Sequence, residues 1–211
     1  MRVKSVNLAA ILFSCIGMLS AAEESAPQPS TTEATSPMGL ESASYTGVTD
    51  AELAPLRFQP QLKRLYLRDS KVTDTGLIHL KELLQLRFLS LNGTQITDAG
   101  LVNLEGLSQL KFLSLDDTEV TDAGLKRLAK FTHLQTVSLN NSKVTDAGMV
   151  HLNNVKKLEW LYLDETAITD TGLLQLGGLK QLKVLSAIKT KVTPEGVEKL
   201  RLVLPTLRVR Q

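Results

Sequence analysis

The chain has 211 residues, 43% of them hydrophobic, and a formal net charge of +2. That length allows one ordinary domain with extensions. The near-neutral balance gives no reason to expect a nucleic-acid partner, whose footprint gathers Lys and Arg on one face; here the basic residues are scattered among acids along the sequence.

The first 22 residues stand apart. Arg2 and Lys4 precede an apolar run from Leu8 to Leu19, and Ser20, Ala21 and Ala22 are the small residues of a cleavage site. This pattern predicts a secretory signal peptide over 1–22. The run is short for a membrane span, so no membrane insertion is expected after cleavage. Cys15 is the chain's one cysteine, and cleavage after Ala22 would leave no thiol. The alternative is a lipid-attachment site at Cys15. An exported protein, whether secreted, periplasmic or at the cell surface, is expected in either case.

Residues 23–44 are rich in Glu, Ser, Thr, Pro and Ala and have no apolar period. They read as a disordered linker. Residues 45–61 read as a capping half-unit. Thr46-Gly47-Val48-Thr49-Asp50, with Leu53 and Leu56, matches the second half of the unit described next, and Thr49 with Glu52 spells a capping box. In the 24-residue frame, Glu41 and Ala43 fall where leucines belong, so no strand is expected there.

From Leu62 to Pro205 the chain repeats every 24 residues without insertion. Leu62, Leu86, Leu110, Leu134, Leu158 and Leu182 begin six copies of L-x-x-L-x-L-x-x-[ST]-x-[VI]-T-D-x-G-L-x-x-L-x-x-L. The alternation in L-x-L predicts a strand with one buried face. The spacing of three in Leu101, Leu104 and Leu107 predicts a short helix. Neither element can bury its apolar side alone, so copies must stack. Pro205 stops the last helix, and residues 206–211 offer a closing strand.

The first half of the unit resembles the leucine-rich repeat. The V-T-D-x-G-L half is similar to repeats of bacterial proteins and of the arm of F-box leucine-rich repeat proteins. The resemblance covers about two-thirds of the chain. It implies an α/β solenoid with a parallel β-sheet on the concave face and short helices on the convex face, and no particular activity. F-box proteins carry an adaptor-binding segment before their repeats, and residues 23–44 contain nothing like one.

In-phase positions form columns. Thr49 to Thr193 would cap the helices. Asp50 to Asp170, followed by Pro194, would occupy the first helical position, where negative charge and Pro are both favoured; calcium binding by the Asp row is the alternative. The Gly76 to Gly196 column suggests a close approach between coils. Ser70, Thr94, Thr118, Ser142, Thr166 and Thr190 would bond the turn backbone.

Variation within this frame is where recognition can reside. Tyr66, Phe88, Phe112, Trp160 and Tyr162 lie between the buried leucines and should face the concave side. Asp116, Asp117, Asp164 and Glu165 run along one edge. Aromatics in an exposed patch suggest a binding surface, and the acids suit a basic protein segment. The other reading is that the rings only pack on each other. No metal set is visible, because the three histidines lie apart and no second cysteine exists. No nucleophile, base and orienting acid converge, and no cofactor motif is present.

The expected function is a secreted, non-enzymatic module that binds a protein or peptide ligand on its concave face. The alternative is a structural or adhesive envelope protein that self-associates or holds surface polymers. A hydrolase built on Asp116 and Asp164 is a third reading.

Overall fold

The structure, a computed structural model, describes residues 41–211. The expected signal peptide and most of the expected linker lie outside the described residues. Eight short strands form one parallel sheet in sequential order. They are β1 (Ser42–Thr46), β2 (Arg64–Arg68), β3 (Phe88–Ser90), β4 (Phe112–Ser114), β5 (Thr136–Ser138), β6 (Trp160–Tyr162), β7 (Val184–Ser186) and β8 (Arg208–Arg210). From β2 to β8 paired residues are 24 positions apart, as Leu89 and Leu113 are, and Leu161 and Leu185.

Each coil returns through a short helix. The first three are 3-10 helices, Asp50–Phe58, Gly76–Leu80 and Gly100–Leu104. The next are α1 (Asp122–Leu128), α2 (Asp146–Leu152) and α3 (Asp170–Gln175), which runs into a 3-10 turn at Leu176–Gly178, and then α4 (Pro194–Arg201). These run one to three turns, because 24 residues must also supply a strand and two bends. Stacked leucines fill the space between sheet and helices: Leu65, Leu67, Leu89, Leu91, Leu113 and Leu115 are all fully buried, as are Leu77, Leu101 and Leu125 from the helices. Burying each such side chain is worth about 1.5–3 kcal/mol, and no single coil achieves it alone.

The start of the solenoid differs from the sequence expectation. A strand, β1, does precede the half-unit, so the linker read over 23–44 ends before Ser42. Ala43 pairs with Leu65 and Tyr45 with Leu67, 22 residues apart instead of 24. Both side chains are buried in leucine places. The reason is a shorter turn. Gly47 takes the positive φ that Asp69 has in the next coil, and Val48 and Thr49 follow at once. The two residues corresponding to Ser70 and Lys71 are absent, and a fixed 24-residue frame cannot see a strand displaced by two.

The Thr and Asp columns form one device. The carboxylate of Asp50 accepts the amide of Thr73 at 2.7 Å and its hydroxyl at 2.6 Å. Asp74 does the same for Thr97, Asp98 for Thr121, Asp122 for Thr145, Asp146 for Thr169 and Asp170 for Thr193. Each hydroxyl also accepts a backbone N–H of its own coil, from Ala123 for Thr121 and from Ala147 for Thr145. Thr121, Thr145, Thr169 and Thr193 are therefore helix caps, as their positions imply, whereas the 3-10 helices of the second and third coils start later, with Thr75 and Ala99 in the cap position instead of Thr73 and Thr97. The dipole accounts for only part of the Asp column, because each carboxylate also fastens its coil to the next. The two hydrogen bonds to Thr193 hold the Asp170 carboxyl below its usual range.

The Gly column follows from this clasp. A Cβ on Gly76, Gly100, Gly124, Gly148, Gly172 or Gly196 would come closer than 3.0 Å to Oδ1 of the preceding coil's Asp. That oxygen cannot give way without releasing Thr. In the turn column, Thr94, Thr118, Ser142 and Thr166 donate to the carbonyls of Leu91, Leu115, Leu139 and Leu163 at 2.5–2.6 Å.

Candidate binding face

The residues between the buried leucines of each strand form the open face of the sheet. Parallel pairing at about 4.8 Å per strand sets them in rows. In the first row Arg64 is exposed, and Phe88, Phe112, Thr136, Trp160 and Val184 are half-buried. In the second, Tyr66 and Tyr162 are half-buried, whereas Ser90, Ser114, Ser138 and Ser186 are buried. Small serines beside large rings leave the rings as the relief of this face. None of the five aromatics named from the sequence is sealed in the core.

The rings of Phe88 and Phe112 stack with centroids 5.8 Å apart and planes 25° from parallel. Thr136 interrupts the row before Trp160. Cations sit over several rings: Arg64 over Phe88 at 5.5 Å, Arg68 over Tyr66 at 5.7 Å and Lys183 over Trp160 at 5.4 Å. Each such contact is worth about 0.5–1 kcal/mol at an exposed site. The rings do pack on one another, and they still present faces to solvent.

The acidic edge is built differently from the sequence expectation. Asp116 accepts four hydrogen bonds, from the hydroxyls of Ser114 and Ser138, the amide of Asn140 and the side chain of Asn92, at 2.5–3.2 Å. The series continues as the amide of Asp164 donates to Asn140 Oδ1 at 2.8 Å and the amide of Ile188 donates to Asp164 Oδ1 at 2.7 Å. This is a second inter-coil ladder, which sequence reading missed. Its signal was an Asn/Asp column at Asn92, Asp116, Asn140 and Asp164. The residue after it takes a positive φ at Asp69, Gly93, Asp117, Asn141 and Glu165, a region that favours Gly, Asn and Asp. Asp117 accepts the Asn141 side chain at 2.7 Å, and Glu165 pairs with Lys189 at 2.8 Å. The four acids thus lie together along one edge, and every one of them is engaged by another part of the solenoid.

Wrapping the chain also corrects the impression of scattered charge. Lys63, Arg87 and Lys111 stack at the start of the strands: the amides of Arg87 and Phe88 donate to Lys63 O, and those of Lys111 and Phe112 donate to Arg87 O. Lys63 pairs with Glu41. Arg64, Arg68, Arg87 and Lys111 make no salt bridge with any described residue. Among the described residues no group of three or more His, Cys, Asp or Glu could hold a metal ion, and no helix is long and apolar enough to cross a membrane.

The family profile described as "Leucine Rich repeat" matches residues 85–104. The chain is a leucine-rich repeat solenoid. Internalin C2 from Listeria monocytogenes is similar at 26% identity and a TM-score of 0.57, over 80% of both chains. The internalin inlF of the same organism is similar in fold at 21% identity and a TM-score of 0.51, over 81% of this chain and 58% of that one. No curated protein sequence matches.

Proposed function

We propose that this leucine-rich repeat protein is an exported, non-enzymatic module that docks a protein or peptide ligand on the open, concave face of its sheet. The observation that carries the reading is the set of half-exposed rings, Phe88, Phe112 and Trp160 in one row and Tyr66 and Tyr162 in the next, where they flank buried serines. Large rigid aromatics on a preformed surface are the groups that dominate protein docking. Export follows from the leader-like residues 1–22, and it fits a module whose coils are held by hydrogen bonds and apolar packing.

The Asp–Thr ladder that joins the coils stops at both ends of the described solenoid, which gives the structural or self-associating reading no extra support from that device. At the start, Glu52 of the same coil takes the amide and hydroxyl of Thr49 at 2.8 and 2.9 Å. At the far end, Pro194 replaces the Asp that would hold a further Thr. Neither end carries the Asp–Thr clasp that joins successive coils within the chain.

The test is affinity capture from the exported fraction, identification of the partner and titration of that purified partner. The Phe112→Ala, Trp160→Ala double variant is expected to weaken the complex at least tenfold. Equal affinity for wild type and variant would remove the open face from the account.

A further inference from the structure

Four cations and two rings set the chemistry of the first half of the open face. Arg64 lies in the ring row, over Phe88. Arg68 stands at the far margin over Tyr66, and Arg87 with Lys111 forms the near margin beside Phe88 and Phe112. No described acid pairs with any of them. Glu41, at the near margin, is paired with Lys63 at 2.6 Å, and its charge also reaches Arg64 and Arg87. On the opposite edge Glu165 is paired with Lys189, whereas Asp116 accepts four hydrogen bonds from neutral donors and keeps its charge. The ring row and its near margin, with Arg64, Arg87 and Lys111, are therefore positive around the Phe88–Phe112 pair, while the far edge at Asp116 and Asp117 keeps its negative charge.

We infer that the ligand segment docking on Phe88 and Phe112 is an acidic amphipathic helix, with its apolar stripe on the two rings and its carboxylates toward Arg64, Arg68, Arg87 and Lys111. This rests on the docking function proposed above and adds the ligand's charge and form. Spacing selects the form. Rings and cations recur at about 4.8 Å from coil to coil. A helix laid along the row returns to the same face every ~5.4 Å, nearly in step. An extended segment returns every ~6.8 Å and falls out of step within two coils. From Phe88 to Trp160 is three coil steps, about 14 Å, which some ten helical residues span. Charge selects the sequence: a basic helix would set its cations against Arg64, Arg87 and Lys111, none of which is held in a salt bridge.

The experiment uses two fluorescein-labelled amphipathic peptides of about fourteen residues with identical Leu and Phe positions, one carrying Glu at its polar positions and the other Lys. Anisotropy titrations use the full chain as exported. The Glu peptide is expected to bind at least tenfold more tightly than the Lys peptide and to weaken with salt. The Arg64→Ser, Arg87→Ser, Lys111→Ser variant should lose at least tenfold for the Glu peptide and nothing for the Lys peptide. Equal binding of both peptides, abolished by Phe112→Ala, would overturn the acidic ligand and leave the docking face standing. Binding indifferent to Phe112→Ala would overturn both. No binding of the Glu peptide, or its replacement by an acidic polysaccharide as the only ligand retained, would overturn the inference.

Discussion

The two oxygens of the Asp74 carboxylate hold a single residue of the next coil, Thr97, by its amide at 2.8 Å and by its hydroxyl at 2.5 Å. Gly100 lies so close to Oδ1 of that carboxylate that a methyl group has no room. Gly100→Ala is therefore expected to cost about 2 kcal/mol, mid-range for a methyl forced into a filled site. Gly106→Ala, in the same coil with nothing near its Cβ, should stay within about 0.5 kcal/mol of wild type. Urea unfolding of the two variants checks this.

The same geometry predicts coupling. Asp74→Ala alone should cost about 1.5–3 kcal/mol, since it removes a charged acceptor from two donors. In that background the methyl of Gly100→Ala no longer meets the carboxylate. The double variant should fall short of the summed single costs by at least ~1 kcal/mol. Additive costs would mean that Gly is there for another reason.

Glu52 does for Thr49 what an Asp of the preceding coil does for Thr in the later coils. Its hydrogen bonds from the Thr49 amide and hydroxyl lower its carboxyl pKa. A carboxyl whose folded pKa is depressed contributes stability above its unfolded pKa and loses it as pH falls through the folded value. Hydrogen exchange should accordingly show the amides of residues 49–56 opening first on acidification. Glu52→Gln should open them already at neutral pH, with the coils beyond β4 unchanged.

Tyr45 fills a leucine place in β1, and its hydroxyl is buried without a partner. Burial pushes its pKa up to about 12. The neutral form is the one the fold favours. Its stabilising effect is full below the unfolded pKa of about 10 and is lost as pH rises through the folded value. Tyr45→Phe removes the orphan hydroxyl and should raise stability by about 1 kcal/mol at neutral pH. Thermal unfolding between neutral and strongly alkaline pH should show a shallower loss for Tyr45→Phe than for wild type.

The sequence's period made most of the solenoid legible. Leu89 and Leu113 declare strand, phase and buried face by recurring on time, and Thr121 declares a cap. What remained hidden was whatever depends on neighbours that only stacking creates. Asp74 looks like a charge at a helix start until Thr97 is brought beside it. Asp116 looks like a surface acid until Ser138 and Asn140 are seen to donate to it. Arg87 and Lys111 are 24 residues apart in a mixed-charge chain, and only the wrapped coils make them a margin. Ala43 and Tyr45 escaped notice because a turn two residues shorter moved their strand out of frame.

Trp160 is the chain's single tryptophan, and it stands half-exposed on the open face, so its fluorescence reports on that face and nothing else. The most direct measurement is acrylamide quenching of Trp160, alone and with a saturating ligand, either the Glu peptide or the captured partner. A ligand lying along the row from Phe88 to Trp160 should shift the emission to the blue and lower the quenching constant at least twofold. A ligand that saturates the protein while leaving both emission and quenching of Trp160 unchanged would contradict the central claim.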